Sequence, residues 1–334
     1  MKKTIKLSIF WAVLIAVITI IAFSRENGFF KKTPRLYKIG ILVRGETYRP
    51  GVDGFISKMK ELGYEEGKNI SYSIRFTDKR EELPALVSEM IKEGVDLIHV
   101  YSTPATIEVQ KQTQTIPIVF GSMGDPLASK TVESLQRPGK NVTGVQSLSS
   151  PLAAKRLEFL KEAAPATRRV AFPFSPEDIP AKSSYDSALV AGRKLGVEII
   201  PYYITKERNV SATASAIKRA DVDGIVISSD SLVWANLSTY VDQAKKEKLP
   251  FAVFDKDMVE RGGLLGYGPD YFITGEQSAV YADKILKGAN PAELPIDSPR
   301  KLLLVLNRKT AREIGLVFPQ TLLSKADLII DESR

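Results

Sequence analysis

Two short apolar runs between residues 95 and 126 constrain this chain more than any other stretch. The first, V-D-L-I-H-V-Y, stops abruptly at Ser102-Thr103. The second, I-P-I-V-F, stops in the small polar stretch from Ser122 to Asp125. Continuous apolar runs of this length, rich in β-branched residues, suit strands covered on both faces, and so a parallel sheet between helices. Ligands of such sheets bind just beyond the carboxyl ends of the strands. Function is therefore sought where each strand stops.

The same alternation runs through most of the chain. K-I-G-I-L-V is a first strand ending at Arg44-Gly45-Glu46-Thr47, and Val52, Phe55, Met59 and Leu62 mark one helix face closed by Gly63. I-S-Y-S-I-R-F-T alternates as a second strand. Leu83, Leu86, Val87, Met90 and Ile91 mark a second helix, stopped by Gly94. A helix from Pro104 to Gln114 separates the two opening runs, and N-V-T-G-V-Q-S forms a fifth strand ending near Ser147. The pattern then repeats from R-R-V-A-F-P-F, through D-G-I-V-I-S-S-D, to P-F-A-V-F-D-K-D. Two successive series of strands and helices predict two similar α/β, Rossmann-like lobes. Glycine-rich segments at 143–151 and 262–270 read as the hinges between them. Helix 274–288 is expected to return to the first lobe, and the strand near 302–306 to cross again to the second. The closing segment reads as helix or turn.

At 334 residues the chain is long enough for two domains. It contains no cysteine, which excludes disulfides, thiolate metal sites and a lipid-modified cysteine. His99 is the only histidine and sits mid-strand, so histidine triads and multi-histidine metal sites are excluded and His99 reads as structural. The formal charge is +8, of which Lys2, Lys3 and Lys6 supply three. The remaining basic residues are scattered among acids, which speaks against nucleic acid as a partner. Those three lysines precede an apolar run from Leu7 to Phe23, with a small-x-small pair at Ala22 and Ser24, the pattern of a secretory signal. As a helix the run spans roughly 26 Å at about 1.5 Å per residue, a little short of a bilayer core of about 30 Å. Residues 1–24 thus read as a cleaved signal peptide or an uncleaved anchor. Residues 25–36 read as a basic linker, and the body as exported.

The strand ends and the loops after them supply Glu46, Thr47, Ser102, Thr103, Ser122, Asp125, Ser147, Glu177, Asp178, Asp230, Asp255 and Asp257 as candidate ligand contacts. Hydroxyls and helix-start amides favour an anionic group, and carboxylates favour an ammonium. A ligand with both, such as an amino acid, fits this inventory. The same residue types also cap the helices that follow. No phosphate loop, dinucleotide fingerprint or nucleophile elbow is present. The Asp255 and Asp257 pair is weak support for acid–base work, so no catalytic residue, cofactor or metal is expected.

Six ordered stretches carry a resemblance. They are S-T-P-A-T at 102–106, I-P-I-V-F-G-S-M-G-D-P at 116–126, R-P-G-K-N-V-T-G-V at 137–145, M-V-E-R-G-G-L-L-G-Y-G-P-D-Y at 258–271, I-L-K-G-A-N-P-A-E-L-P at 285–295 and N-R-K-T-A-R-E-I-G-L-V-F-P at 307–319. Through them the chain resembles the ABC-transporter substrate-binding proteins, the family with tryptophan-binding, TrpX-like members. The resemblance implies a type I periplasmic-binding-protein fold, with two lobes joined by a multi-strand hinge and a ligand cleft between them. The crossings read above give expected lobes of 37–148 plus 270–295 and 149–269 plus 296–331. The implied partners are a small polar solute, an ABC permease and its ATPase subunits, with the protein itself a monomer. A membrane-anchored sensor built from the same lobes is the alternative. The resemblance places ligand near Thr103, Asp125, Ser147, the loop from Ser175 to Asp178, and Asp230. Asp125 and Asp230, each at the carboxyl end of an apolar strand and each on a motif position, are expected to face each other across the cleft and to contact the ligand, one from each lobe. The chain departs from the tryptophan-binding members at Ile179-Pro180, where Asn-Ser is usual, and at Ser231 after Asp230.

Overall fold

A computed structural model describes residues 35–205 and 209–331. The expected leader, 1–24, and all but the last two residues of the basic linker lie outside the described residues. No helix among the described residues is long and apolar enough to cross a membrane.

Twelve strands form two sheets among the described residues. The first has order β2-β1-β3-β4-β5 and contains β1 (Tyr37–Arg44), β2 (Ile70–Thr77), β3 (Leu97–Tyr101), β4 (Ile118–Met123) and β5 (Val142–Gln146), all parallel. Its first three helices are α1 (Arg49–Glu61), α2 (Leu83–Lys92) and α3 (Thr103–Gln112). Ile39, Ile41 and Val43 of β1 pack with Val52, Phe55 and Met59 of α1. Leu42, between them, packs with Leu83 and Val87 of α2. Burial on both faces explains why this strand shows no polar alternation.

The second sheet follows the order β12-β11-β10-β9-β8-β6-β7. Its elements are α4 (Ser149–Ala163), β6 (Arg169–Phe174), α5 (Ile179–Leu195), β7 (Glu198–Tyr203), α6 (Val210–Ala216), β8 (Gly224–Val226), α7 (Ser231–Ala235), α8 (Leu237–Lys246), β9 (Phe251–Val253), α9 (Lys256–Glu260) and β10 (Leu265–Pro269). Next comes α10 (Tyr271–Leu286), which leaves this sheet and packs on α1, β3, β4 and β5 of the first. Cβ atoms added at Gly54 and Gly275 would stand 2.1 Å from Phe272 O and 2.0 Å from Gly51 O, so α1 and α10 meet almost backbone to backbone. His99 fastens the same helix from below. Its Nε2 lies 2.9 Å from Ser278 Oγ, its ring stacks on Phe55, and burial pushes its pKa down to about 3. The chain then returns through β11 (Leu302–Asn307), α11 (Arg308–Ile314), α12 (Gln320–Leu323) and β12 (Leu328–Ile330).

Three expectations change. Residues 262–270 are not mainly a hinge, because Leu265–Pro269 is a strand of the second sheet, parallel to β9 and antiparallel to β11. Its glycines admit close neighbours, since a Cβ at Gly268 would stand 2.2 Å from Phe254 O. Residues 143–146 likewise belong to β5. The closing segment contains a strand, β12, where only helix or turn is expected. Linkage between the sheets therefore reduces to three short crossings after β5, after β10 and before β11. They brace one another: Gln146 N donates to Asp297 O, Asp297 N to Gly144 O, and Asp270 N to Lys301 O.

Candidate functional site

Both sheets end at one cleft. From the first come Arg44 and Tyr48 after β1, Ser102, Thr103 and Pro104 after β3, Gly124 after β4, and Ser147 after β5. The second sheet and its helices contribute Ser149, Asp178, Pro180, Ser229, Ser231 and Trp234. The space between them, open solvent at its mouth included, is about 450 Å³. Arg44, Ser231 and Trp234 also wall an outer chamber of about 1000 Å³, with Glu46, Thr47, Asp78 and Asp257.

The cleft is shut. Thr47 Oγ1 from the first side donates to Asp255 Oδ2 of the second at 3.1 Å, and Ser150 Oγ donates to Asp125 Oδ2 at 3.1 Å. A Cβ at Gly124 would stand 2.8 Å from Ser149 Oγ and 3.0 Å from Pro180 Cβ, so bare backbone meets the opposite wall there.

Charged and aromatic side chains share the cavity lining. Arg44 ends β1 half-buried, its Nε has no hydrogen-bond partner, and burial holds its pKa down. Asp178, from the other wall, caps α5 by accepting from Ala181 N at 3.0 Å. Burial, and then the nearby charge of Asp230, push its pKa up to about 7. Tyr48 stacks on Tyr101 at 5.4 Å and lies 6.2 Å from the Trp234 ring. Trp234 is held by its own Nε1–H, which donates to Ser228 O at 2.9 Å. A zwitterion with a flat side chain finds a cation, a carboxyl group and two rings here.

Of the residues expected from sequence, Ser102, Thr103, Ser147 and Asp178 line the inner cavity. Glu46, Thr47 and Asp257 line the outer chamber, with Glu46 paired to Arg49 and Asp257 to Arg261. Asp255 lies beneath, 2 % exposed, capping α9 through Met258 N. Its pKa is pushed up to about 6, chiefly by burial. Ser122 is buried at 1 % exposure, Asp125 holds Ser150 at the margin, and Glu177 faces solvent.

Asp230 requires a correction. Neither it nor Asp125 is among the residues lining the cavity. Asp230 is 1 % exposed, and its carboxylate accepts from Leu232 N at 2.7 Å, Val233 N at 3.4 Å and Ser175 N at 2.6 Å. It thus caps α7 and ties the β6 loop to it. Sequence reasoning also passed over Arg44, Tyr48, Ser149, Ser229 and Trp234. Arg44 was findable by the same strand-end rule, as the long cation that closes the first apolar run. Pro180 and Ser231, where the chain departs from tryptophan-binding proteins, both sit on the cavity wall.

The family model described as ABC transporter substrate binding protein matches residues 38–330. The chain belongs to this family. Its fold is that of the type I periplasmic binding proteins, with two mostly parallel α/β sheets. The chain is similar to a tyrosine-binding protein of Clostridioides difficile (strain R20291), 25% identical over 300 residues, covering 88% of this chain and 85% of that one. A solved ABC domain from Streptococcus pneumoniae in complex with L-Trp superposes with a TM-score of 0.82 at 23% identity, covering 88% of this chain and 99% of that one. The ligand-free, open structure of a substrate binding protein from Clostridium difficile gives 0.69 at 24% identity, covering 89% and 100%.

Proposed function

We propose that this protein is the extracytoplasmic binding component of an ABC importer and closes around a free amino acid with an aromatic side chain. The observation that carries this is the pairing, in one cavity, of Arg44 from the first sheet with Asp178 from the second, beside Tyr48 and Trp234. Arg44 and Asp178 make no ion pair with each other, so each is available to one end of a zwitterion. Charge-assisted hydrogen bonds of this kind contribute about 1.5–3 kcal/mol each. Because the two groups stand on opposite walls, a bound zwitterion ties the walls together, and hinge closure follows from binding. The tyrosine-binding relative supports an aromatic side chain, as do the two rings at the wall.

The lobes of this mechanism are 37–148 plus 270–295 and 149–269 plus 296–331. The packing of α10 on α1 and the pairing of β11 with β10 support that division. Export rests on the basic and apolar leader, and delivery to a permease with its ATPase rests on the family. Mass spectrometry of ligand released on denaturing the purified protein, followed by calorimetry with L-tyrosine and L-tryptophan, tests the reading. Release of a sugar or an inorganic anion, with no heat from either amino acid, refutes it.

A further inference from the structure

Arg156 is the largest fully buried side chain among the described residues, and its charge has no ion-pair partner among them. Its guanidinium lies over the Phe254 ring at 4.6 Å and donates only to two carbonyls, Tyr267 O at 3.3 Å and Ser149 O at 3.4 Å. Its Nε has no partner, and burial holds its pKa down to about 9. The carboxylate that acts on it, Asp255, is already engaged by Met258 N and the Thr47 hydroxyl. Buried cations without a counter-ion are rare, because their desolvation is not offset.

Ser149, which Arg156 grips by its carbonyl, stands on the cavity wall and opens α4, a helix of 15 residues. No side chain caps that helix, as none caps α1, α2, α6 or α8, whereas α3, α5, α7 and α9, which also start at the cleft, are capped by Ser102, Asp178, Asp230 and Asp255. Ser149 is 2 % exposed and its hydroxyl has no partner. An uncapped helix start, an unused buried hydroxyl at the cavity wall and a buried cation behind it, offset only in part by Asp255, together favour a negative group in the cavity.

We propose that Ser149 is the second-lobe contact for the ligand's carboxylate, with the start of α4 and the buried Arg156 guanidinium behind it supplying the positive field. Arg156 is a positioning residue here, acting through Ser149. The inference rests on the amino-acid reading above and deepens it. The carboxylate is held between Arg44 of the first lobe and Ser149 of the second, so the same group that anchors the ligand also draws the lobes together. Asp178 is left for the ammonium.

Calorimetry with L-tyrosine and L-tyrosinamide tests this, since the amide keeps the ring and the ammonium and loses the negative charge. Ser149→Ala weakens L-tyrosine about tenfold and leaves L-tyrosinamide within twofold of wild type. Arg156→Met acts in the same direction and Arg156→Lys restores most of the loss, which a purely packing role for the side chain would not give. Equal weakening of both probes by Ser149→Ala, or none of either, overturns the proposal. Wild-type protein that binds neither probe removes the amino-acid reading and this inference with it, whereas binding of both with no change in Ser149→Ala removes this inference alone.

Discussion

The hydroxyl of Thr47 donates to Asp255 Oδ2 at 3.1 Å, a bond between two residues 208 positions apart and on opposite sides of the cleft. Thr47 follows β1, and Asp255 follows β9 and caps α9. A bond of this kind exists only while the lobes are shut, so it stabilises the closed form and not the open one. Thr47→Val removes the donor with little change in volume. Affinity for ligand falls about tenfold, or about 1.4 kcal/mol, with little change in the melting temperature of the ligand-free protein. Calorimetry and thermal melts check this, and unchanged affinity would show that the bond forms equally in the open protein.

Asp178 gives the cavity a pH dependence whose sign can be worked out. Its pKa stands at about 7 against an ordinary 3.8, raised first by burial and then by the charge of Asp230. A carboxyl raised in this way contributes stability that is fully present below about 3.8 and is lost as pH rises through about 7. Asp178→Asn keeps the helix cap and abolishes the titration. The difference in melting temperature between variant and wild type is close to zero at about pH 4 and grows in favour of the variant towards about pH 8. Affinity for an ammonium-bearing ligand runs the other way. Wild type loses it as pH falls below about 7, because the carboxyl must shed a proton before it can accept the ammonium. A flat affinity profile between about pH 5 and pH 8 would remove Asp178 from the binding site.

The strands and helices were legible because each carries a period that burial dictates. In β1, Ile39, Ile41 and Val43 serve one face and Leu42 the other, and the unbroken apolar run announces both. The glycines of 262–270 misled because a hinge and a close approach leave the same mark in a sequence. Only the position of Phe254 O against Gly268 separates them. Strand ends located the cleft but not its contacts. Asp178 and Asp230 are alike in sequence terms, each beyond an apolar strand and before a helix. What divides them is the Ser175 amide, 55 positions from Asp230, which uses the second oxygen of that carboxylate and none of Asp178's. Arg156 was illegible for the same reason, since nothing local marks one helical arginine as fully buried.

Asp230 accordingly behaves as a structural residue. Asp230→Ala leaves the amides of Ser175 and Leu232 without their acceptor in a buried setting. Loss of a cap together with unsatisfied buried donors costs about 2–4 kcal/mol of folding stability. Affinity measured well below the melting temperature stays within about threefold of wild type, which is about 0.7 kcal/mol at about 1.4 kcal/mol per factor of ten. Urea unfolding and calorimetry on the same preparation decide it. A large loss of affinity with unfolding unchanged would place this carboxylate against the ligand after all.

Leu148 occupies the crossing between β5 and α4 with φ 54° and ψ 30°, in the left-handed region. That conformation costs a non-glycine residue about 1–2 kcal/mol. The strain sits between Ser147 and Ser149, both on the cavity wall, at a point where the chain passes from one sheet to the other. Strain of this kind persists where the surrounding structure imposes it, and the closed cleft is what surrounds it here. If opening lets Leu148 relax, the strain opposes closure and weakens binding. Leu148→Gly and Leu148→Ala both remove the half-buried side chain, and only glycine removes the strain. Their folding stabilities do not isolate it, because glycine also loosens the unfolded chain. Their ligand affinities do, since the unfolded state is absent from both sides of the binding equilibrium. The glycine variant therefore binds about fivefold more tightly than the alanine variant, a difference of about 1 kcal/mol. Equal affinities would mean that the turn is left-handed in the open protein too, and that the hinge moves elsewhere.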